Sequence, residues 1–309
     1  MKTAMTRISR RHLLAAAGAA SLAAARPSGA IEPWKRGPAF FSGLSLTTYS
    51  LRPLMRWWCG KQTAGRLEML DFLDYCAELG LEAAELTSYF FAEPVERSEI
   101  NRLKRRAHLL GIDISAGAVG NNFGHPPDSD TTRREMESFR TWIDHFADLG
   151  APAVRVFASK SPPAGVPDDQ VEAHVIANLQ TALSHAEKRG VLLGLENHDF
   201  VKNIDRLLRI LRAIDSEWLG VTWDSSNLEK VPDPYAELAR IAPYAITAQI
   251  KVMTRVNGVP QPADYGRLVQ ILRDAAYRGY VVLEYEEAED PLQAIPRHIG
   301  RLRELIGCR

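Results

Sequence analysis

Four short apolar runs of the sequence each end in a side chain that carries oxygen. LLGLENHDF, residues 192–200, turns polar at Glu196, and Asp224, Gln249 and Glu284 close the apolar runs of VTWDSSN, ITAQIKV and VVLEYEE. Three carboxylates brought together would repel one another unless a proton or a cation neutralised them. Carboxylate and amide oxygens suit a hard divalent cation, which predicts Mn²⁺ or Mg²⁺ rather than the Zn²⁺ that Cys and His favour.

Further polar side chains stand at similar positions and could contact a substrate. Glu85 and Arg155 belong to two earlier apolar runs, and Asn197 and His198 directly follow Glu196. Each residue alone also has an ordinary structural explanation, such as an ion pair or a hydrogen bond to the backbone. For His198, substrate contact and a core or loop role fit equally well. The combination, rather than any single residue, indicates a site.

The elements that must position these side chains are short strands alternating with amphipathic helices. The apolar runs are brief, as expected of strands buried on both faces. They cover residues 40–46, 83–86, 112–116, 153–157, 191–195, 219–222, 245–250 and 280–283. Glycines that accept a left-handed conformation are predicted to end five of the helices, at Gly80, Gly111, Gly150, Gly190 and Gly279.

Eight strand–helix units in one domain predict an α/β fold, a single (β/α)₈ TIM barrel. The rival is a doubly wound sheet, which would normally carry a glycine-rich phosphate turn after its first strand; SGLSL at residues 42–46 is not one. In a barrel, catalytic groups sit at the carboxyl ends of the strands, and consecutive strands are neighbours. The last four strand ends therefore converge, which predicts one divalent ion bound by Glu196, Asp224, Gln249 and Glu284.

The order and spacing of these motifs resemble the sugar phosphate isomerase/epimerase superfamily, the xylose isomerase-like barrels. GLSL at residues 43–46, ELG at 78–80 followed by Glu85, and LENH at 195–198 match its first, second and fifth strand units. DSSN at 224–227, QIK at 249–251 and LEYE at 283–286 match the last three. The resemblance covers the chain after its first 30 residues and is more specific to the superfamily than to a substrate.

The resemblance implies a role for each matched position. Glu196, Asp224, Gln249 and Glu284 resemble the metal ligands. Glu196 and Glu284 also match the two acids that shuttle a proton at a sugar carbon, and Arg255 matches an arginine that contacts the substrate near the metal.

Two positions depart from the family pattern. Gln249 stands where the family usually has histidine. Asn227 stands where the best-studied epimerases of the family have histidine. A glutamine carbonyl can bind the same ion, although more weakly and without a titrating nitrogen. The departures leave the metal site intact and weaken the case for simple ketose epimerisation.

The expected chemistry is an isomerase or epimerase reaction on a sugar, keto-sugar or cyclitol. One of Glu196 and Glu284 would take a proton next to a carbonyl, giving an enediolate, and the other would return it. Lys251 and Arg255 could supply positive charge near developing oxyanions, or be solvated loop cations. Two alternatives stay open, a lyase that expels a β-substituent from a keto-sugar or keto-glycoside, and a sugar-binding barrel without turnover.

The composition restricts the classes of molecule that we expect the protein to bind. The 38 Lys and Arg residues balance 38 Asp and Glu residues, which argues against nucleic acid. The DNA-repair endonuclease branch of the superfamily would also need a histidine-rich site, and only His198 lies near the proposed ligands. No segment after the N-terminal stretch is apolar enough for a membrane. A small carbohydrate is the expected partner, and a homo-oligomer stays open.

Residues 1–30 are predicted to be an export signal. Arg10 and Arg11 form a twin-arginine (Tat) pattern, followed by an Ala-rich stretch that is too short to span a bilayer. We expect export of the folded protein to the periplasm, which leaves a barrel domain of residues 31–309.

Overall fold

The predicted apolar runs form the strands of one closed parallel barrel. The computed structural model describes residues 32–307. In chain order the strands are β1 (Phe40–Thr47), β2 (Ala83–Thr87), β3 (Asp113–Ala118), β4 (Ala153–Val156), β5 (Leu192–Glu196), β6 (Leu219–Asp224), β7 (Ala245–Lys251) and β8 (Arg278–Glu284). Each strand pairs with the next, and β8 closes the barrel against β1. The predicted (β/α)₈ fold is confirmed.

A helix follows each strand and covers the outside of the barrel. These helices are α1 (Met69–Glu78), α2 (Arg97–Leu110), α3 (Asp130–Leu149), α4 (Asp168–Arg189), α5 (Ile204–Ile214), α6 (Pro234–Ile241), α7 (Tyr265–Asp274) and α8 (Pro291–Ile306). In α5, the Asn203 side chain caps the first turn by accepting a hydrogen bond from the Arg206 amide. Leu207 and Leu211 then recur at helix spacing and are buried.

Two hairpins at the mouth of the barrel were not predicted. Trp57–Trp58 pairs with Lys61–Gln62 between β1 and α1, and Met253–Val256 pairs with Val259–Pro262 after β7. The second hairpin turns at Asn257 and Gly258, both with positive φ, which is the two-residue turn that an Asn-Gly pair favours. Both hairpins lie beyond the barrel strands and are too short to show an alternating pattern.

The glycine prediction holds for four helix ends and is wrong for the fifth. Gly111, Gly150 and Gly190 cap α2, α3 and α4 in the left-handed conformation, and Gly80 follows α1 with a φ of 63°. After α7 the left-handed residue is Ala276, with a φ of 52°. Gly279 instead lies inside β8, where a Cβ atom would come within 2.6 Å of the Tyr277 hydroxyl. Close packing, and not helix termination, explains that glycine.

An arm before β1 covers the barrel end opposite the mouth. Trp34 packs over Gly220 of β6, where a Cβ atom would lie 2.4 Å from the indole ring. Arg36 donates a hydrogen bond to the Ala245 carbonyl at the start of β7, and its guanidinium lies 5.1 Å from the centre of the Trp34 ring. Because β6 and β7 begin at this end, the arm packs against the bottom of the barrel.

The predicted export signal, residues 1–30, lies outside the described residues. Within residues 32–307, no helix combines the length and the apolar character needed to cross a membrane.

Candidate active site

The carboxyl ends of the barrel strands surround an open cavity of about 630 Å³. Glu196 of β5, Gln249 and Lys251 of β7, and Glu284 of β8 line it. Asp224 of β6 is fully buried and pairs in register with Gln249, as Glu284 does with Lys251. The parallel register therefore brings together the four residues that the sequence placed at strand ends.

Both carboxylate oxygens of Glu196 are held by neighbouring side chains. Arg155 donates from Nη1 to Oε2 at 3.1 Å, and Asn227 donates from Nδ2 to Oε1 at 2.9 Å. Burial raises the pKa of Glu196, but the positive charges of Arg155, His198 and Lys251 outweigh burial and leave the pKa below its ordinary value. Glu196 is thus an ionised, fixed carboxylate facing the cavity.

Lys251 lies among the remaining carboxylates. Its Nζ is 3.3 Å from Asp224 Oδ2, 3.8 Å from Glu284 Oε2 and 2.9 Å from Glu286 Oε2. Burial raises the pKa of Glu284 well above its ordinary value; Lys251 opposes this shift and Glu286 adds to it. Burial likewise raises the pKa of Asp224. The two acids that the sequence paired, Glu196 and Glu284, thus have pKa values shifted in opposite directions.

Asn197 joins two strands instead of facing the cavity. Its Nδ2 donates to the Asp224 carbonyl at 2.8 Å, and its Oδ1 accepts from the Asp224 amide, also at 2.8 Å. The side chain is fully buried and does not line the cavity. In this structure Asn197 fixes the end of β6, and with it Asp224, through backbone contacts.

Glu85 is buried beside Gln249 inside the barrel. Gln249 Nε2 donates to Glu85 Oε1 at 2.6 Å. Burial raises the pKa of Glu85 to about 7, against the opposing hydrogen bond from Gln249. Glu85 does not line the cavity. Its contact is with Gln249, a candidate metal ligand.

The other predicted substrate contacts fall in different places. Arg155 and His198 line the cavity, and the His198 ring packs 5.0 Å from the Phe157 ring. Arg255 lies on the hairpin after β7, is exposed, and donates to the Gly258 carbonyl. Because Arg255 lies on this hairpin, its guanidinium does not line the cavity.

The donor set fits a hard divalent ion in chemistry and charge. Glu85 Oε2, Asp224 Oδ2 and Gln249 Oε1 are buried and accept no hydrogen bond from the described residues. Five acids, counting Glu286, surround two cations, Arg155 and Lys251. Across residues 32–307 no group of three Asp, Glu, His or Cys side chains is arranged so that it could hold a metal ion as it stands, and the Lys251 ammonium lies within reach of two of the acids. A metal ion would therefore compete with Lys251 for the same carboxylates.

Several residues of the site escaped the sequence reasoning. Glu286 holds Lys251, and Tyr89 accepts a hydrogen bond from Arg155 at 3.0 Å. The two-residue spacing of Glu284 and Glu286 was a usable signal, since alternate residues of an extended chain face the same side. Tyr89 follows β2 in a 3₁₀ turn, Ser88–Phe90, and had no such signal.

Fold and site define the class as a (β/α)₈ barrel with acids gathered at the carboxyl ends of β5, β6 and β8. Residues 73–305 match the sequence profile described as xylose isomerase-like TIM barrel. The chain belongs to this family, as the motifs predicted.

Comparisons with individual proteins agree with this family. Over 184 residues the chain is 27% identical to 3-oxo-isoapionate decarboxylase of Pectobacterium atrosepticum, an alignment covering 60% of this chain and 58% of that protein. The chain thus spans less than two thirds of that relative. The 3-keto-D-glucoside 4-epimerase YcjR of E. coli superposes with a TM-score of 0.65 at 17% identity, covering 81% of this chain and 99% of YcjR.

A third similar protein was crystallised with a metal ion. It is a xylose isomerase-like TIM barrel protein from Mycobacterium smegmatis in complex with magnesium, with a TM-score of 0.66 at 14% identity, covering 85% of this chain and 96% of that one. At these identities the two structural likenesses show the shared fold.

Proposed function

We propose that the protein is a divalent-metal-dependent isomerase or epimerase of a sugar, keto-sugar or cyclitol. It moves a proton at the carbon next to a carbonyl, through an enediolate. The E. coli neighbour, a 3-keto-D-glucoside 4-epimerase, supports a keto-sugar as the substrate class.

The observation that carries the proposal is the pair Glu196 and Glu284. Both line one cavity, and their pKa values are shifted in opposite directions by their surroundings. Two carboxyl groups with separated pKa values are suited to the two halves of an acid–base reaction. Glu196, ionised, takes the proton, and Glu284 returns one from its own side of the cavity. A binding protein would not need this separation.

Four oxygen donors would hold the metal ion: Glu196, Asp224, Gln249 through Oε1, and Glu284. Such an ion, when bound, polarises a carbonyl oxygen and stabilises the negative charge that develops there. Mn²⁺ or Mg²⁺ matches the oxygen donors better than Zn²⁺. The magnesium complex of the M. smegmatis relative supports this class of ion.

Two cations of the chain complete the site. Arg155 keeps the carboxylate of Glu196 oriented and ionised, and it is itself fixed by Tyr89 and the Val119 carbonyl. Lys251 also lines the cavity and would donate to a substrate oxygen that gains negative charge.

A lyase is the second candidate, and the Pectobacterium relative favours it because that protein is a decarboxylase. When a bond to the carbon next to a carbonyl breaks, its electron pair stays on that carbon. The pair can form the same enediolate, or it can expel a β-substituent. The acid–base pair serves either outcome. Release of a leaving group separates the two functions.

The test is proton exchange in deuterated water with a screen of keto-sugars, inososes and keto-glycosides. We expect deuterium incorporation by the Mn²⁺-loaded protein and a loss of about 100-fold or more in Glu284→Gln, the usual scale for a lost general acid or base. Glu93→Gln changes an exposed acid of the same cavity and should keep full activity. Near-normal exchange in Glu284→Gln would contradict the proposed roles.

A further inference from the structure

One wall of the cavity is aromatic, away from the acids on β5, β6 and β8. Tyr49 and Trp58 follow β1, and Tyr89 follows β2. The Trp58 ring lies 5.3 Å from Tyr89 and 6.1 Å from Tyr49, centre to centre. All three side chains are half-buried, so each keeps surface toward the cavity. These three rings are called the aromatic wall below.

The aromatic wall is held rigidly by elements outside the barrel strands. Trp58 lies on the short hairpin after β1, and the next amide, of Cys59, donates to the Tyr89 carbonyl at 2.7 Å. Phe90 is buried behind the wall, 5.5 Å from Trp58 and 6.1 Å from Tyr49. The hairpin therefore serves to place Trp58 at the mouth.

A hydrogen-bond chain connects the aromatic wall to the catalytic acid. Arg155 donates from Nη2 to the Tyr89 hydroxyl at 3.0 Å and from Nη1 to Glu196 at 3.1 Å. The distance between wall and acid is thus fixed by one guanidinium. A ligand that touches both would be held in one orientation.

The space does not end at the aromatic wall. A second cavity of about 580 Å³ adjoins the first, and Tyr49, Arg52 and Glu286 line both. The Arg52 guanidinium lies 4.3 Å from the centre of the Trp58 ring and donates to the Tyr49 hydroxyl at 3.0 Å. Arg52 is exposed, so from its place over the Trp58 ring it presents further donors to solvent and to a ligand.

We propose that the aromatic wall binds a second ring of the substrate, so that the protein acts on a glycoside and not on a free monosaccharide. The inference rests on the proposed function for the ring that reacts over Glu196 and Glu284. A pyranose has an apolar face of C–H groups, which packs on an aromatic ring, and a rim of hydroxyl groups. Since Arg52 covers one face of Trp58, the sugar face packs on the part of the aromatic wall that Arg52 leaves uncovered, while Arg52 and Glu286 reach the hydroxyl groups. Small-molecule sites commonly combine such an apolar wall with a few polar groups.

The test is calorimetric binding of sugars that cannot react, so that it does not depend on turnover. Methyl β-glucoside is compared with cellobiose and maltose on the Mn²⁺-loaded protein. We expect one disaccharide to bind about tenfold tighter than the methyl glycoside, the upper range for one aromatic contact. Trp58→Ala should abolish the preference and leave methyl glycoside binding unchanged. Trp57→Ala, which changes the neighbouring residue outside the cavity lining, should keep it.

Equal affinities in the wild-type protein, no detectable binding of either disaccharide, or a preference that survives Trp58→Ala would each overturn the inference. If Trp58→Ala does not fold, Trp58→Leu takes its place, because it retains packing against Phe90. A preference for the disaccharide without any proton exchange would instead contradict the proposed function and leave the second-ring site standing.

Discussion

Gln249 of β7 donates a hydrogen bond to Glu85 of β2 across the inside of the barrel, 2.6 Å from Nε2 to Oε1. Because the amide nitrogen of Gln249 faces Glu85, the carbonyl oxygen of the same amide faces away from it. That oxygen is buried and accepts no hydrogen bond from the described residues. Glu85 therefore fixes the orientation of the Gln249 amide, in the manner of residues that orient metal ligands.

We predict that Glu85 makes the stability of the metal-free protein fall as pH rises. Burial raises the folded-state pKa of Glu85 to about 7, against about 4.3 in an unfolded chain. Between these values the folded protein holds the extra proton, so the free energy of unfolding decreases up to about pH 7, by about 3 kcal/mol for this group. The side chain of the Glu85→Gln variant cannot ionise. The Tm of the variant minus the Tm of the wild type should therefore increase from pH 5 to pH 8.

The measurement is thermal unfolding with chelator at both pH values. Glu78→Gln, which changes an exposed glutamate of α1, should follow wild type at both. A constant Tm difference for Glu85→Gln would show that Glu85 has no raised pKa in the folded protein.

We predict that Asp224→Asn loses most of its affinity for a divalent ion. The substitution removes the buried carboxylate beside Lys251, while the two hydrogen bonds of Asn197 to the backbone of residue 224 are retained. Elemental analysis after dialysis should give about one Mn²⁺ per wild-type chain and much less in the variant. Glu93→Gln serves as the matched cavity control. Absence of stoichiometric metal in the wild-type protein would defeat the site assignment.

We predict the opposite effect for Lys251→Met. Lys251 Nζ would compete with a metal ion for Asp224 and Glu284. Removing its charge should therefore tighten Mn²⁺ binding by about tenfold or more. This change corresponds to a modest part of the attraction between charges a few ångströms apart. Turnover should fall, because the cation near the substrate is lost. Titration calorimetry measures the first effect, and Lys160→Met, at an exposed lysine of the same cavity, is the control. Weaker metal binding in Lys251→Met would rule out this competition.

The export proposal has a direct test in cells. Replacing Arg10 and Arg11 by Lys should hold the precursor in the cytoplasm, because we propose that the export machinery recognises the twin-arginine pattern. Fractionation and immunoblotting measure the distribution, with Arg7→Lys as the neighbouring control. Export that continues in the double variant would indicate another route.

The sequence predicted what depends on strand order and side-chain period. Eight apolar runs predicted eight strands, and the barrel order then brought Glu196, Asp224, Gln249 and Glu284 together. Buried parallel strands read as continuous apolar runs, so their number was countable without any knowledge of contacts.

What the sequence did not predict depends on where single side chains point. Asn197 adjoins Glu196 and was grouped with it, yet neighbours on an extended chain face opposite sides, and Asn197 turns to β6. Arg255 was placed by analogy, but the Asn257–Gly258 turn folds its segment into a hairpin. The bond between Glu85 and Gln249 joins residues 164 positions apart and becomes visible only once the barrel is closed.

The arm before β1 sets a practical boundary for anyone who shortens this chain for crystallisation or display. Trp34 covers Gly220, and Arg36 holds the start of β7, so a version trimmed to the first strand would open the lower end of the barrel to water. The domain that folds thus begins before its first strand, at or ahead of Trp34. A tag or fusion partner joined closer than that would disturb these contacts and lower the Tm, even though the candidate active site lies at the other end of the barrel.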